Sequence, residues 1–212
     1  MASTPFPETP PNETQTVAPP LATATSFSHS HSYSQSDPMT FLPSLLRPSE
    51  RPDELGRLGD FQIRRILGAG GMGVVLEAWD AVLNRKVALK LMRPEVARNP
   101  TSKQRFLREA RAMAAIEHPR IVIVHQVGEF EGIPFLVMPL MVGESLADRL
   151  KCGPPIPLGD AIRFAREAAD GLAAAHAKGV VHRDVKPDNI WLEQTAEGAH
   201  VRLLDFGLAR DD

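Results

Sequence analysis

The feature that most restricts the possible folds is a glycine cluster set between two stretches with strand character. Residues 61–68 read FQIRRILG, alternating apolar and polar positions; LGAGGMGVV then places Gly68, Gly70 and Gly73 in G-x-G-x-x-G spacing, and VVLEAWD follows as a second strand. Glycine lets a backbone turn tightly and bring its N–H groups close to a ligand, although glycines also make ordinary hairpin turns. The same spacing opens dinucleotide-binding folds, but there it joins a strand to a helix. Here strands flank it on both sides and no G-K-[ST] follows, so neither that fold nor a P-loop fits. The cluster reads as the tip of an antiparallel hairpin, a flap whose backbone N–H groups can approach phosphate.

The rest of the chain extends that start. KVALKLM reads as a third strand, and SKQRFLREARAMAAIEH puts Phe106, Leu107, Ala110, Met113, Ala114 and Ile116 near one helical stripe ending before Pro119. IVIVHQVGEF and IPFLVM supply two more strands, so residues 60–138 are expected to form a five-stranded sheet carrying one long helix. Beyond Pro139 the pattern turns helical: ESLADRLK is short, and PLGDAIRFAREAADGLAAAHAKG is a long amphipathic helix stopped by Gly179. Short strands follow around NIWLE and HVRLLD. The expected fold is α+β, with a small β-rich lobe over residues 60–138 and the start of a helical lobe over 139–212.

Residues 1–55 are dominated by Pro, Ser and Thr, with no Lys or Arg before Arg47. Such a segment buries too little surface to offset a backbone entropy of about 1–2 kcal/mol per residue, and it is expected to be disordered. Its HSHSY tract, the Asn12-Glu13-Thr14 triplet and Thr9-Pro10 read as features of a polar tail rather than as sites. A net charge of -2, from nearly balanced acids and bases, provides no field to recruit nucleic acid or an anionic membrane. The lone Cys152 forms no intrachain disulfide and no zinc cluster, in keeping with a reducing compartment. No run approaches the roughly 18 apolar residues of a spanning helix, and a cytoplasmic setting is expected.

Two positions carry charge into this frame. Lys90 ends the apolar run Val87-Ala88-Leu89-Lys90, where a lysine is often only a strand edge with a solvated tip. Glu109, on the following helix, is the acid expected to hold it, although Arg105, Arg108 and Arg111 are alternative partners for that carboxylate on an exposed helix face.

The most specific stretch is HAKGVVHRDVKPDNIWLE. His182-Arg183-Asp184, Lys186 and Asn189, followed by Asp205-Phe206-Gly207, resemble the catalytic loop and metal-binding triplet of Ser/Thr protein kinases, and GAGGMGVV, EHPRIV and HRDVKPDNIWL are most similar to bacterial eukaryotic-like kinases. The resemblance implies a two-lobed kinase fold and Ser/Thr phosphorylation of a protein substrate from ATP and Mg²⁺, with no nucleic-acid partner. It implies that Asp184 orients the acceptor hydroxyl and takes its proton, that Lys186 steadies the γ-phosphate, that Lys90, held by Glu109, engages the α- and β-phosphates, and that Asn189 and Asp205 hold Mg²⁺. Arg183 beside the base suggests activation by a phosphate on the activation segment. Nucleotide contacts are expected from Leu67, Gly68, Ala69, Gly70, Gly71, Met72, Gly73, Val74 and Val75 of the flap. Ala88, Met138 as gatekeeper, Pro139 through its carbonyl, Met141 through its N–H and Trp191 complete the set; Trp191 has the alternative reading of a core tryptophan.

The resemblance covers residues 60–212 and no later kinase motif. The expectation is therefore of a kinase fragment, poorly stable in its second half, with weak transfer by itself and a possible membrane anchor downstream. The alternative is a non-catalytic pseudokinase module that binds nucleotide or a partner.

Overall fold

The structure, a computed structural model, describes residues 27–28, 37–49 and 51–206. Asn12, Thr9-Pro10, the HSHSY tract and Gly207 lie outside the described residues.

Strand β1 is Phe27–Ser28, helix α1 Pro38–Leu45 and strand β2 Gly56–Leu58. The flap hairpin is β3 (Phe61–Ala69) and β4 (Gly73–Asp80), followed by β5 (Arg85–Met92). A short helix α2 (Pro94–Ala97) leads to the long helix α3 (Pro100–Ala114), then to β6 (Gln126–Phe130) and β7 (Ile133–Pro139). The five expected strands pair antiparallel in the order β3-β4-β5-β7-β6, with β2 antiparallel and β1 parallel on β3, making seven in all. Ile63, Leu76, Leu89, Leu91 and Phe106 are fully or almost fully buried in the hydrophobic core, and each contributes about 1.5–3 kcal/mol. Helix α3 starts where Asn99 accepts the N–H groups of Thr101 and Ser102 and Pro100 occupies its first turn.

Two sequence expectations are corrected. The disordered tail does not reach residue 55: Asp37 caps α1 by accepting the Met39 N–H, and Phe41, Leu42 and Leu46 are buried in the core. The residues after this helix pair back onto β2, with Arg47 and Arg57 exchanging two backbone hydrogen bonds of 2.8 Å. Gly56 makes the approach possible, since a Cβ there would lie 2.8 Å from both Leu46 Cβ and the Arg47 carbonyl oxygen. The strand expected over IVIVHQVGEF begins only at Gln126, because Ile121 forms a parallel bridge with Leu203 of the other lobe.

The second lobe contains β8 (Gly143–Ser145), α4 (Leu146–Cys152), α5 (Leu158–Ala177), β9 (Ile190–Thr195) and β10 (Gly198–Leu203). The last two strands form a three-stranded sheet with β8. Helix α5 ends as read from sequence: Gly179 adopts φ +72°, and the Gly179 and Val180 N–H groups bond back to His176 and Ala175. Gly171 in α5 faces Leu203, where an added Cβ would stand 2.9 Å from Leu203 Cδ1, so helix and sheet pack closely. Among the described residues no helix is long and apolar enough to cross a membrane.

Candidate active site

Strand register assembles the upper wall of the site. Val75 pairs with Lys90, and Ala88 pairs with Met138. Directly opposed residues share a face and strand residues alternate, so Val75, Ala88, Lys90 and Met138 all project from one side of the sheet. The flap turns over this wall: Gly70 N–H bonds to the Gly73 carbonyl at 2.9 Å. Leu67, Val74 and Val75 are buried, Gly68, Ala69, Gly70, Met72 and Gly73 are half-buried, and Gly71 is exposed. At Gly73 an added Cβ would lie 2.3 Å from the Leu91 carbonyl oxygen, so only glycine lets β4 start this close to β5.

The lower wall is the loop after α5 together with the segment after β10. Its tight turns place Arg183 at φ +61° and Asp205 at φ +51°, left-handed conformations that non-glycine residues rarely take. Both therefore need surrounding bonds to hold them. His182, 1% exposed, supplies one set: its Nδ1 lies 3.3 Å from the Asp184 N–H and its Nε2 lies 2.8 Å from the Leu204 carbonyl oxygen. Because Nδ1 accepts, the proton sits on Nε2 and the ring donates to Leu204. Burial pushes this imidazole below the usual histidine range, so it stays neutral and keeps that tautomer. Its ring also packs on Phe206 at 4.5 Å.

Asn189 supplies the second set. Its Nδ2 donates to the Asp184 carbonyl oxygen at 2.8 Å and to the Asp184 carboxylate at 3.0 Å, and its own carbonyl accepts the Leu204 N–H at 2.9 Å. Asp184 also pairs with Lys186 at 2.8 Å. Lys90 reaches down from the sheet to Asp205, Nζ to Oδ1 at 2.5 Å, joining residues 115 positions apart. The structure thus joins Lys90 to Asp205 and links Asp184, Lys186 and Asn189 to one another, with Asn189 bonded to Leu204 next to Asp205.

Other expected residues stand differently. Glu109 is half-buried on α3, and among the described residues Lys90 pairs with Asp205 and makes no ion pair with Glu109. Trp191 is 1% exposed, paired in register with Ser145 and Arg202 at the centre of the smaller sheet, so the core reading holds in this conformation. Pro139 ends β7 opposite Val87, and Pro139 and Met141 are half-buried where the chain passes between lobes. The clasp formed by His182 was not given a role from sequence, since its partner Leu204 lies 22 residues away.

The donor set suits a hard cation. Asn189 Oδ1 is buried without a hydrogen-bond partner, close to the Asp205 segment that its own backbone holds. An amide oxygen and a carboxylate, with further oxygens from a phosphate, match the way Mg²⁺ is held.

The protein kinase domain family matches residues 61–211, well over half of the chain. Serine/threonine-protein kinase pkn2 of Myxococcus xanthus is 44% identical over 159 residues, covering 75% of this chain and 19% of that protein. PknD of Mycobacterium tuberculosis is 42% identical over 159 residues, covering 75% of this chain and 24% of the other. The chain therefore spans about a fifth to a quarter of the length of these relatives. Among solved structures, the Mycobacterium tuberculosis PknI kinase domain superimposes with a TM-score of 0.64 at 29% identity, covering 73% of this chain and 62% of that one. Sequence, fold and the contacts among the motif residues agree that this chain belongs to the protein kinase family, as a bacterial-type serine/threonine kinase catalytic domain.

Proposed function

We propose that the chain binds Mg-ATP beneath the glycine flap and directs its γ-phosphate to a Ser or Thr hydroxyl of a protein. The observation that carries this reading is the meeting of Lys90 and Asp205 at 2.5 Å beside the loop in which Asn189 grips Asp184. This arrangement supports the reading because an ammonium, two carboxylates and an amide oxygen are the groups that a triphosphate with its cation requires.

Each residue then has a defined task. Lys90 exchanges Asp205 for the α- and β-phosphates, and Asp205 with Asn189 Oδ1 would hold Mg²⁺, which supplies charge neutralisation on the transferring group. Asp184, fixed by Asn189 Nδ2, orients the acceptor hydroxyl and takes its proton as the new P–O bond forms and ADP leaves. Lys186, paired with the same carboxylate, would steady the γ-phosphate. Val75, Ala88 and Met138 line the apolar wall for the base, with Pro139 and Met141 offering a carbonyl and an N–H at its edge. Glu109 joins the site only if α3 moves so that it can compete with Asp205 for Lys90. This last feature favours, as a second reading, a nucleotide-binding module without turnover.

Thermal unfolding and radiolabel transfer from [γ-³²P]ATP separate the readings. Mg-ATP is expected to raise the wild-type melting temperature, Lys90→Met to abolish most of that rise, and Asp184→Asn to keep the rise while cutting transfer by about a thousandfold or more. Stabilisation with no transfer by the wild type would leave the non-catalytic reading; no stabilisation at all would defeat both.

A further inference from the structure

The glycine flap is held from a direction that the kinase reaction does not require. Arg93, immediately after β5 and three residues from Lys90, donates its backbone N–H to the Met72 carbonyl and its Nε–H to the Gly70 carbonyl, both at 2.9 Å. One residue thus grips two carbonyls at the flap tip and ties them to the strand that carries the phosphate-binding lysine. Arg93 is only 5% exposed. Its guanidinium lies 5.8 Å from the ring centre of Phe41, within cation–π range.

Phe41 belongs to α1, which precedes the 61–211 region shared with the kinase family. The helix is anchored by Leu42 and Leu46 in the core and by the two Arg47–Arg57 hydrogen bonds. A second contact from the same N-terminal region reaches the same flap, since β1 pairs Phe27 with Gly68 and Ser28 with Ala69.

We propose that the segment before the kinase domain is a flap-positioning element, acting through a relay from Phe41 to the Arg93 guanidinium to the Gly70 carbonyl, with Arg93 as a positioning residue for nucleotide. The physical logic is desolvation. A guanidinium covered by an aromatic ring cannot satisfy its donors with water, so it keeps its Nε–H bond to the Gly70 carbonyl; an uncovered one exchanges that bond for solvent and leaves the flap tip held by the Arg93 backbone N–H alone. Docking or release of α1 then changes how often the flap N–H groups stand ready for phosphate.

The effect on affinity rests on the nucleotide reading above, so the test has two independent arms in the 212-residue protein. Hydrogen exchange without nucleotide is expected to quicken at residues 70–73 in Phe41→Leu and Arg93→Lys but not in the control Met39→Ala, whose side chain is largely exposed on α1. Titration with Mg-ADP is expected to show binding weakened about five- to tenfold in the same two variants. The double variant is expected to be no weaker than the worse single one, as for two links of one relay. Unchanged exchange at the flap in both single variants, with unchanged melting temperatures, would overturn the relay. Fully multiplicative effects in the double variant would overturn it as well. Failure of the wild type to bind Mg-ADP would instead refute the nucleotide reading, and the exchange arm would still decide whether α1 positions the flap.

Discussion

At the scale of single residues, the site depends on a neutral histidine. His182 accepts the Asp184 N–H through Nδ1 and donates to Leu204 through Nε2, and a proton added to Nδ1 would turn the first contact into two donors facing each other. Burial, the largest influence on this ring, lowers its pKa from 6.5. The unfolded chain therefore takes up protons that the folded one refuses, so the stabilisation is complete above about pH 6.5 and is lost as pH falls below it toward the lower folded value. His182→Phe keeps the ring against Phe206 but leaves the Leu204 carbonyl without its donor, while the Asp184 N–H keeps its 2.8 Å bond to the backbone carbonyl of residue 182. It is expected to cost about 2–3 kcal/mol at neutral pH and to flatten the loss of melting temperature between about pH 7 and 5.5. Some slope remains, because burial and Arg85 also lower His125. An undiminished slope in this variant would place the sensitive group elsewhere. Asp184, Lys186, Asn189 and Asp205 were legible in the sequence because their spacing within two short loops is itself the geometry. The task of His182 was not, since it is defined by a carbonyl that no local pattern points to.

At the scale of elements, one buried carboxylate joins two elements of the second lobe to the segment at Arg120 of the first. Glu167 on α5 accepts the Val201 N–H of β10 at 2.8 Å and pairs with Arg120 at 3.2 Å and His200 at 3.2 Å. Burial by itself would raise its pKa; the Val201 N–H, His200 and Arg120 together outweigh burial and hold it below the usual carboxylate range. Its contribution is therefore present above about pH 4.5 and lost as pH falls through the lower folded value. Glu167→Ala is expected to destabilise by about 2–3 kcal/mol, less than for a fully buried pair because Arg120 keeps partial access to water. Thermal unfolding at pH 7 and pH 3.5 checks this, and an equal cost at both would show packing rather than charge at work. The helix bearing Glu167 was readable from its periodicity and its glycine stop. Helix α1 was not: Asp37-Pro38 is a sound start signal, and Met39, Phe41, Leu42, Leu45 and Leu46 an apolar face, but both sit inside a long Pro- and Ser-rich composition that suggested disorder. The opposite error, a strand over Ile121–His125, arose because apolar residues that pair across lobes look locally like any strand.

At the scale of the whole molecule, the two lobes meet through the segment around Ile121, the crossing near Pro139 and the contact between Lys90 and Asp205. Under the proposed function the last is the one a nucleotide would have to open, so its strength sets what ligand binding has to replace. Side-chain exposures of 12% for Lys90 and 21% for Asp205 put the pair where water screens poorly but not where either charge is fully desolvated. Lys90→Met leaves a carboxylate in the cleft without its cation, and Asp205→Asn leaves an ammonium without its anion, so each alone is expected to lower stability in the nucleotide-free protein. Lys90→Met with Asp205→Asn removes both charges and is expected to cost less than the sum, with a coupling of about 1–3 kcal/mol measured by thermal or urea unfolding. The same cycle repeated in saturating Mg-ATP distinguishes an opening cleft from a fixed one. If nucleotide separates the pair, the coupling falls toward zero there, because lysine and carboxylate then answer to phosphate and cation instead of each other. A coupling that persists unchanged with nucleotide bound would mean that the two groups stay joined, and that the triphosphate is held by other residues of the cleft.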